Sequence, residues 1–298
     1  MENCKNIRRK NKVNISGSKV VFAIVFVIFV IYAASLVFPF VWLFVSSLKT
    51  GVEFADDLSM GGNAFAFPDK LNFKNYLIAF QKFNYQGVGF AGLIYNSVIY
   101  IAANTFGALF FPTVLGYCLS KYRFKLRGVI YGIGICTMTI PIVGSMGAAF
   151  KLIKFLGLYD TRAYLITVMI ASFGFNFLIM YGFFQNISWS YAEAVFIDGG
   201  GHFTVFFKIM LPQATSVLVV LAITSSIGAW NDYTTIILYM PSYPTVASAL
   251  YYVADTLQRE NNTPIYYCLI ILSALPVLLV FAVFAEKMME NMAIGGLK

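Results

Sequence analysis

Across its 298 residues the chain is 59% hydrophobic and only 11% charged, with a mean hydropathy of +0.76. That is too little charge to cover a water-soluble domain of this size, so the class to consider is an integral membrane protein. The formal charge of +8 does not mark a nucleic-acid binder, because no basic face with interleaved aromatic residues stands outside the apolar runs.

Residues 1–18 read as a basic tail, and residues 19–298 as one membrane domain with no internal repeat. An apolar run of about 20 residues crosses a hydrocarbon core of ~30 Å, and without water to pair its backbone it must be helical. Six runs qualify, at about 20–48, 91–119, 129–149, 163–184, 214–240 and 265–284. The first follows Lys5, Arg8, Arg9, Lys10, Lys12 and Lys19, a pattern that a secretory leader shares. It continues well past the 7–15 apolar residues of a leader, so it reads as a retained first helix.

The connection after the first run is the longest, and balances Lys49, Lys70, Lys74 and Lys82 against Glu53, Asp56, Asp57 and Asp69. Within it, Asn72 is positioned to cap a short helix with Phe73, Tyr76, Leu77 and Phe80 on one face, lying at the membrane surface; a packed loop is the alternative. Lys121, Arg123, Lys125 and Arg127 crowd the link between the second and third runs. Lys and Arg collect on the cytoplasmic side, so both termini and the segment around Glu193 are expected inside.

Pro141 in the third run and Pro276 in the sixth remove backbone donors and bend helices, and Gly144 and Gly147 would let a neighbouring helix approach. The fifth run is interrupted by Trp230-Asn231-Asp232-Tyr233. Aromatic faces beside an amide and a carboxylate are groups that bind sugars, and an acid at membrane depth is a functional candidate. Aromatic anchoring at the membrane–water interface is the competing reading of the same four residues.

Much chemistry is missing. His202 is the single histidine, so no Ser-His-Asp set and no His/Cys metal cluster can be assembled. The four cysteines, Cys4, Cys118, Cys136 and Cys268, show no CxxC spacing and read as small apolar side chains. No GxxxxGK[ST] phosphate loop occurs. A secondary carrier or channel has weak support, because apart from Asp232 the runs hold almost no ionisable groups. Uphill transport by this chain would draw its energy from another one.

The segment Glu193 to Pro212, EAVFIDGGGHFTVFFKIMLP, is polar and glycine-rich between two apolar runs. Ser188 or Ser190 is placed to cap a helix beginning near Tyr191, with Glu193 in its first turn, where the helix dipole favours an acid. Gly199-Gly200-Gly201 ends that helix, and Phe203, Phe206 and Phe207 lead back to the membrane. A short helix lying along the bilayer and tied to two spans is a lever, with an ordinary interfacial loop as the alternative.

This segment resembles the EAA loop of binding-protein-dependent ABC importers: Glu-Ala-Ala, a glycine after three more residues, then nine residues before Ile-x-Leu-Pro. Here Glu193-Ala194-Val195, Asp198-Gly199 and Ile209-Met210-Leu211-Pro212 keep that spacing. Val195 replaces the second alanine, and Gly200 replaces the usual alanine after Gly199, so three successive glycines make a looser lever. Pro39 to Lys49, Asn96-Ser97, Leu156-Gly157-Leu158, Trp230 to Tyr233 and the tail Gly295-Gly296-Leu297-Lys298 are similar to the six-helix permeases of the maltose type.

The resemblance implies an all-α, six-helix type I importer permease fold in a bacterial cytoplasmic membrane, itself non-catalytic. Its implied partners are a second homologous permease, two ABC ATPase subunits that bind the ATP and Mg, an extracellular solute-binding protein and membrane lipid. It implies that Glu193, Ala194, Asp198, Gly199, Gly200 and Pro212 serve coupling to the ATPase, and that residues 241–264 face the binding protein. A sugar is the expected cargo; glycerol phosphate or a polyamine are the alternatives within the same machinery.

Overall fold

No charged residue stands between Lys19 and Lys49, and the first element of the computed structural model is one long helix, α1 (Ile15–Ser47). The structure describes residues 15–59, 62–139, 144–170, 173–260 and 262–295. After α1 come α2 (Gly51–Leu58), α3 (Lys74–Lys82), a hairpin of β1 (Asn84–Tyr85) and β2 (Val88–Gly89), and the second long helix, α4 (Phe90–Lys121). Then follow α5 (Arg127–Thr139), α6 (Ser145–Phe155), a 3-10 turn at Arg162–Tyr164, α7 (Leu165–Met169), α8 (Phe175–Asn186) and α9 (Ser190–Ile197). The chain continues through α10 (His202–Thr204), a π-helical stretch (Val205–Met210), α11 (Leu211–Gln213), α12 (Thr215–Asn231), α13 (Thr234–Tyr239), α14 (Val246–Arg259) and α15 (Thr263–Gly295).

Among the described residues, Lys19–Ser47, α4 and Thr263–Val280 of α15 are each long and apolar enough to cross a membrane. His202–Gln213 and Thr215–Asn231 qualify together, bent by 71°. The run at 129–149 is divided between α5 and α6, and that at 163–184 between the 3-10 turn, α7 and α8. The run at 214–240 breaks at Asp232, between α12 and α13. Pro141 and residues 296–298 lie outside the described residues.

The second long helix is the spine of the bundle. Its 32 residues reach about 48 Å at 1.5 Å per residue, and three buried clusters are strung along it. Leu93 joins the first cluster with α3, α14 and α15; Tyr100 joins the second with Tyr164, Ala229 and Ile236; Tyr117 joins the third with Phe184, Val205 and Met210. α12 runs the other way, with Leu221 in the third cluster and Ala229 in the second.

Two glycines of α4 set its packing. A Cβ at Gly107 would lie 2.5 Å from the Val168 carbonyl oxygen, and one at Gly116 would lie 2.8 Å from the Tyr181 nitrogen, so helix backbones meet at both. Gly144 and Gly147, expected to serve this purpose, face open space within the chain. Pro112 is buried inside α4 and cannot donate to Ala108 four residues back. Asn176 of α8 supplies the missing donor: its Nδ2 lies 2.9 Å from the Ala108 oxygen and 3.3 Å from Ser225 Oγ of α12. One amide thus ties three helices at the weak point of the spine.

At the end of α1 the Ser-Leu-Lys motif is buried. Lys49, only 1% exposed, forms a 2.6 Å ion pair with Asp57 of α2, and Asn75 Nδ2 donates to the carbonyls of Ser47 and Lys49. Asn72 does not cap α3 as expected. Phe73 holds that position and the Asn72 amide donates to Asn75 Oδ1, because Asn75 is already anchored on the end of α1. α3 therefore buries Asn75 and Ala79, leaving Phe73, Leu77 and Phe80 exposed. Within the chain, none of the membrane-length window of α1 is buried.

Candidate functional site

The segment from Ile187 to Pro212 is built as a short arm, a tight turn and an elbow. Ser188 Oγ accepts the Ser190 N–H at 3.2 Å, so α9 starts one residue earlier than expected; Trp189 holds the cap position without a side-chain cap. Glu193 sits in the first turn. Ala192 is fully buried and Val195 and Phe196 half-buried, a spacing that puts one face of α9 against the third cluster. The other face shows Tyr191, Glu193, Ala194, Ile197 and Asp198 to the outside, with Ile197 86% exposed. Phe203, 82% exposed, extends this surface beyond the turn.

The turn is a Schellman motif. Gly199 N–H bonds the Phe196 carbonyl at 3.1 Å, and Gly200 N–H bonds the Val195 carbonyl at 2.8 Å, which satisfies the last carbonyls of α9. Gly199 has φ +78°, the left-handed conformation this motif needs. Gly200 is held by space instead: a Cβ there would fall 2.5 Å from Val195 Cγ1. Gly201 meets neither demand, with φ −97° and nothing near its Cβ position. Pro212 is exposed in α11, next to the 71° bend that turns the chain into α12.

Two residues not expected at this site hold it. Lys121, the last of α4, donates its Nζ to the Ile187 carbonyl at the end of α8. Tyr122 is joined by a 2.9 Å hydrogen bond to His202 Nδ1, and packs edge-on against Trp189 at 5.8 Å between ring centres. The C-terminal end of α4 thus grips both margins of the segment. These partners lie 66 and 80 residues apart in sequence, so no local pattern reveals them.

The four polar and aromatic residues of the fifth run do not converge. Trp230 packs against the first cluster, and Asn231 is exposed with its amide bonded to the Ile227 carbonyl at 2.9 Å. Asp232 Oδ2 accepts from Tyr100 OH at 2.6 Å, and Oδ1 accepts the Thr235 N–H in the first turn of α13 at 3.0 Å. Tyr233 is exposed and stacks on Tyr251 of α14, with centres 4.9 Å apart and planes at 13°. Both Asp232 oxygens have structural work. Asp232→Ala is expected to lower stability by about 2–4 kcal/mol, from the lost helix-end bond and the lost charged acceptor of a buried phenol. Thermal unfolding in detergent checks the loss; cargo preference of the surviving protein should not change.

Between α4, α12 and α15 lies an open groove of about 680 Å³, lined by apolar residues such as Phe106, Ile223, Val277 and Val280. Its two hydroxyls, Thr105 and Ser226, are 3.0 Å apart and bonded to each other. Among the described residues no group of three or more His, Cys, Asp or Glu could hold a metal.

Residues 108–286, which include the whole of this segment, match a family model described as the binding-protein-dependent transport system inner membrane component. The chain belongs to that family. It is a membrane-embedded transport permease subunit, with the mostly helical type I permease fold. The diacetylchitobiose uptake system permease protein NgcG of Streptomyces coelicolor is 24% identical over 92% of this chain and 88% of that protein. The arabinooligosaccharides transport system permease protein AraQ of Bacillus subtilis is 26% identical over 88% of this chain and 90% of its own length. A solved bacterial ABC transporter involved in the import of the acidic polysaccharide alginate has a chain with the same fold. Its TM-score is 0.73 at 24% identity, over 90% of this chain and 97% of that one.

Proposed function

We propose that this permease forms half of the pore of an ATP-driven importer of oligosaccharides, and that the arm around α9 is where it meets the ATPase. The observation that carries the reading is α9 itself. It is a short helix with an exposed acidic and apolar face, closed by a Schellman turn at the glycine that the EAA pattern requires, inside the region matched by the family. Glu193, Ala194, Asp198, Gly199, Gly200 and Pro212 form this coupling site. Cargo class follows the relatives, whose names carry diacetylchitobiose, arabinooligosaccharides and melibiose/raffinose/stachyose.

The chain itself is non-catalytic; two partner ATPase subunits bind ATP and Mg and hydrolyse it. A second homologous permease completes the pore. In its support, α1 has no buried residue in its membrane-length window, and the groove on α4, α12 and α15 is too apolar for a sugar path. The lysines and arginines near the spans support a cytoplasmic side for both termini and α9, and the bacterial relatives support a bacterial cell membrane. The 241–264 segment, built largely of α14, then faces the solute-binding protein. Of the four path candidates Asn231 and Tyr233 are favoured because they are exposed, while Trp230 packs on the first cluster and Asp232 is bonded to Tyr100 and Thr235.

The test is uptake into proteoliposomes holding both permeases and the ATPase, with binding protein and labelled chito-, arabino- and galacto-oligosaccharides, glycerol phosphate and spermidine. ATP-dependent uptake of an oligosaccharide is expected. Uptake without the ATPase, or undiminished after deletion of 193–201, overturns the mechanism; preference for glycerol phosphate or spermidine overturns the cargo.

A further inference from the structure

We infer that α4 is the rod through which the coupling arm and the 241–264 segment act on each other, held at each end by a named pair of side chains. This rests on the reading that these two segments meet the ATPase and the binding protein. At one end, Lys121 holds the Ile187 carbonyl before the arm, and Tyr122 is bonded to His202 after it. Tyr122 OH also lies 3.3 Å from the OH of Tyr117, which is buried within the third cluster. At the other end, Asn96 Nδ2 donates to the Pro244 carbonyl at 3.0 Å, and the buried Ser97 Oγ accepts the Val246 N–H at the start of α14 at 3.0 Å. From Ser97 to Lys121 the rise is about 36 Å.

A rod transmits only if it does not fold in the middle. The weak point is Pro112, and Asn176 closes the gap it leaves at Ala108 while tying α4 to α8 and α12. Displacement of either docking segment therefore shifts a clamped helix rather than a free loop. By linkage, each docking partner changes the other's affinity for the permease by the same factor, a reciprocity that holds for binding and not for the hydrolysis rate.

The experiment uses the complete transporter in nanodiscs and measures ATP hydrolysis with and without solute-loaded binding protein. The variants are Tyr122→Phe, His202→Leu, His202→Asn and Ser97→Ala. Tyr122→Phe loses the bonds to His202 and Tyr117, and Ser97→Ala those to Val246 and the Leu93 carbonyl. His202→Leu loses the bond to Tyr122, whereas in His202→Asn an amide atom replaces Nδ1. The ratio of stimulated to basal hydrolysis is expected to fall about fivefold in Tyr122→Phe, His202→Leu and Ser97→Ala, the size of the one clamp bond that each removes. His202→Asn keeps most of it. Combining Tyr122→Phe with Ser97→Ala should do no more than either alone, because both cut one connection.

Unchanged stimulation in Tyr122→Phe and Ser97→Ala overturns the inference, as does a combined loss equal to the product of the two. Equal loss in His202→Asn and His202→Leu removes the hydrogen bond from the argument and overturns the inner clamp. An Ile197→Cys cross-link to the ATPase separates the two levels. If it forms while the variants behave normally, only the rod fails; if it does not form, the coupling reading fails with it.

Discussion

Gly199→Val is expected to leave the protein in the membrane but to uncouple ATP hydrolysis from uptake. With φ +78° and nothing within 4 Å of its Cβ position, Gly199 is constrained by backbone conformation and not by space. A left-handed residue carrying a Cβ costs roughly 1–2 kcal/mol, and a β-branched one is a clear outlier there. The turn has no slack to absorb this, because the N–H groups of residues 199 and 200 close the last carbonyls of α9. Opening the turn re-aims Ile197 and Phe203, the most exposed apolar residues of the arm. About 1.4 kcal/mol is a tenfold change in an equilibrium, so uptake per ATP is expected to fall roughly tenfold or more. Gly199→Asn separates strain from bulk, since Asn visits the left-handed region at low cost. It should retain most coupled uptake in proteoliposomes. An Asn variant as defective as the Val variant assigns the effect to the docking surface, and normal coupling in Gly199→Val removes α9 from the mechanism.

What could be read in the sequence was what depends on short-range pattern. Apolar length gave the membrane class, and the spacing of Glu193, Gly199 and Pro212 marks in order a short helix, its stop and the bend into the next apolar helix. Helix starts differ by a residue because two cap positions are held by aromatic residues, Phe73 and Trp189, where the sequence offers Asn72 for one and Ser188 or Ser190 for the other. Gly144 and Gly147, the glycines that follow a proline in an apolar run, sit at a left-handed turn and on an open surface. The glycines that admit another backbone, Gly107 and Gly116, sit in an unremarkable apolar run. Pro112 gave no sign of its repair, because the donor that closes the gap comes from Asn176, 68 residues away from Ala108. The Trp230–Tyr233 group is a candidate by residue type alone. Only the fold shows that Asp232 is spent on Tyr100 and Thr235, while Tyr233 is left outside. Residue types give candidates; which atoms remain unspent is a property of the packing.

The two departures from the EAA pattern are, on this geometry, one exchange. A Cβ at residue 200 would sit 2.5 Å from Val195 Cγ1, so the larger side chain at 195 occupies the volume that an alanine at 200 would fill. The turn with three glycines is therefore not a loosened lever at its second glycine; the missing methyl is supplied from across the turn. Gly200→Ala alone should force Val195 out of place and strain the 2.8 Å bond to the Val195 carbonyl, at the 1–3 kcal/mol typical of overpacking. Val195→Ala alone removes half-buried methyl groups and costs about 1 kcal/mol. Together they rebuild the pattern of alanine at 195 and alanine after the glycine. The double variant should be more stable and better coupled than the sum of the singles predicts, by an interaction in the range of about 0.5–3 kcal/mol found for side chains in contact. Recovery will be incomplete, because a Cβ at 200 still approaches the residue 195 carbonyl oxygen to 3.0 Å whatever side chain stands there. Thermal unfolding in detergent and uptake per ATP in proteoliposomes should show the same rescue. Simple additivity in both would mean that the two sites do not share this volume, and the exchange would fall.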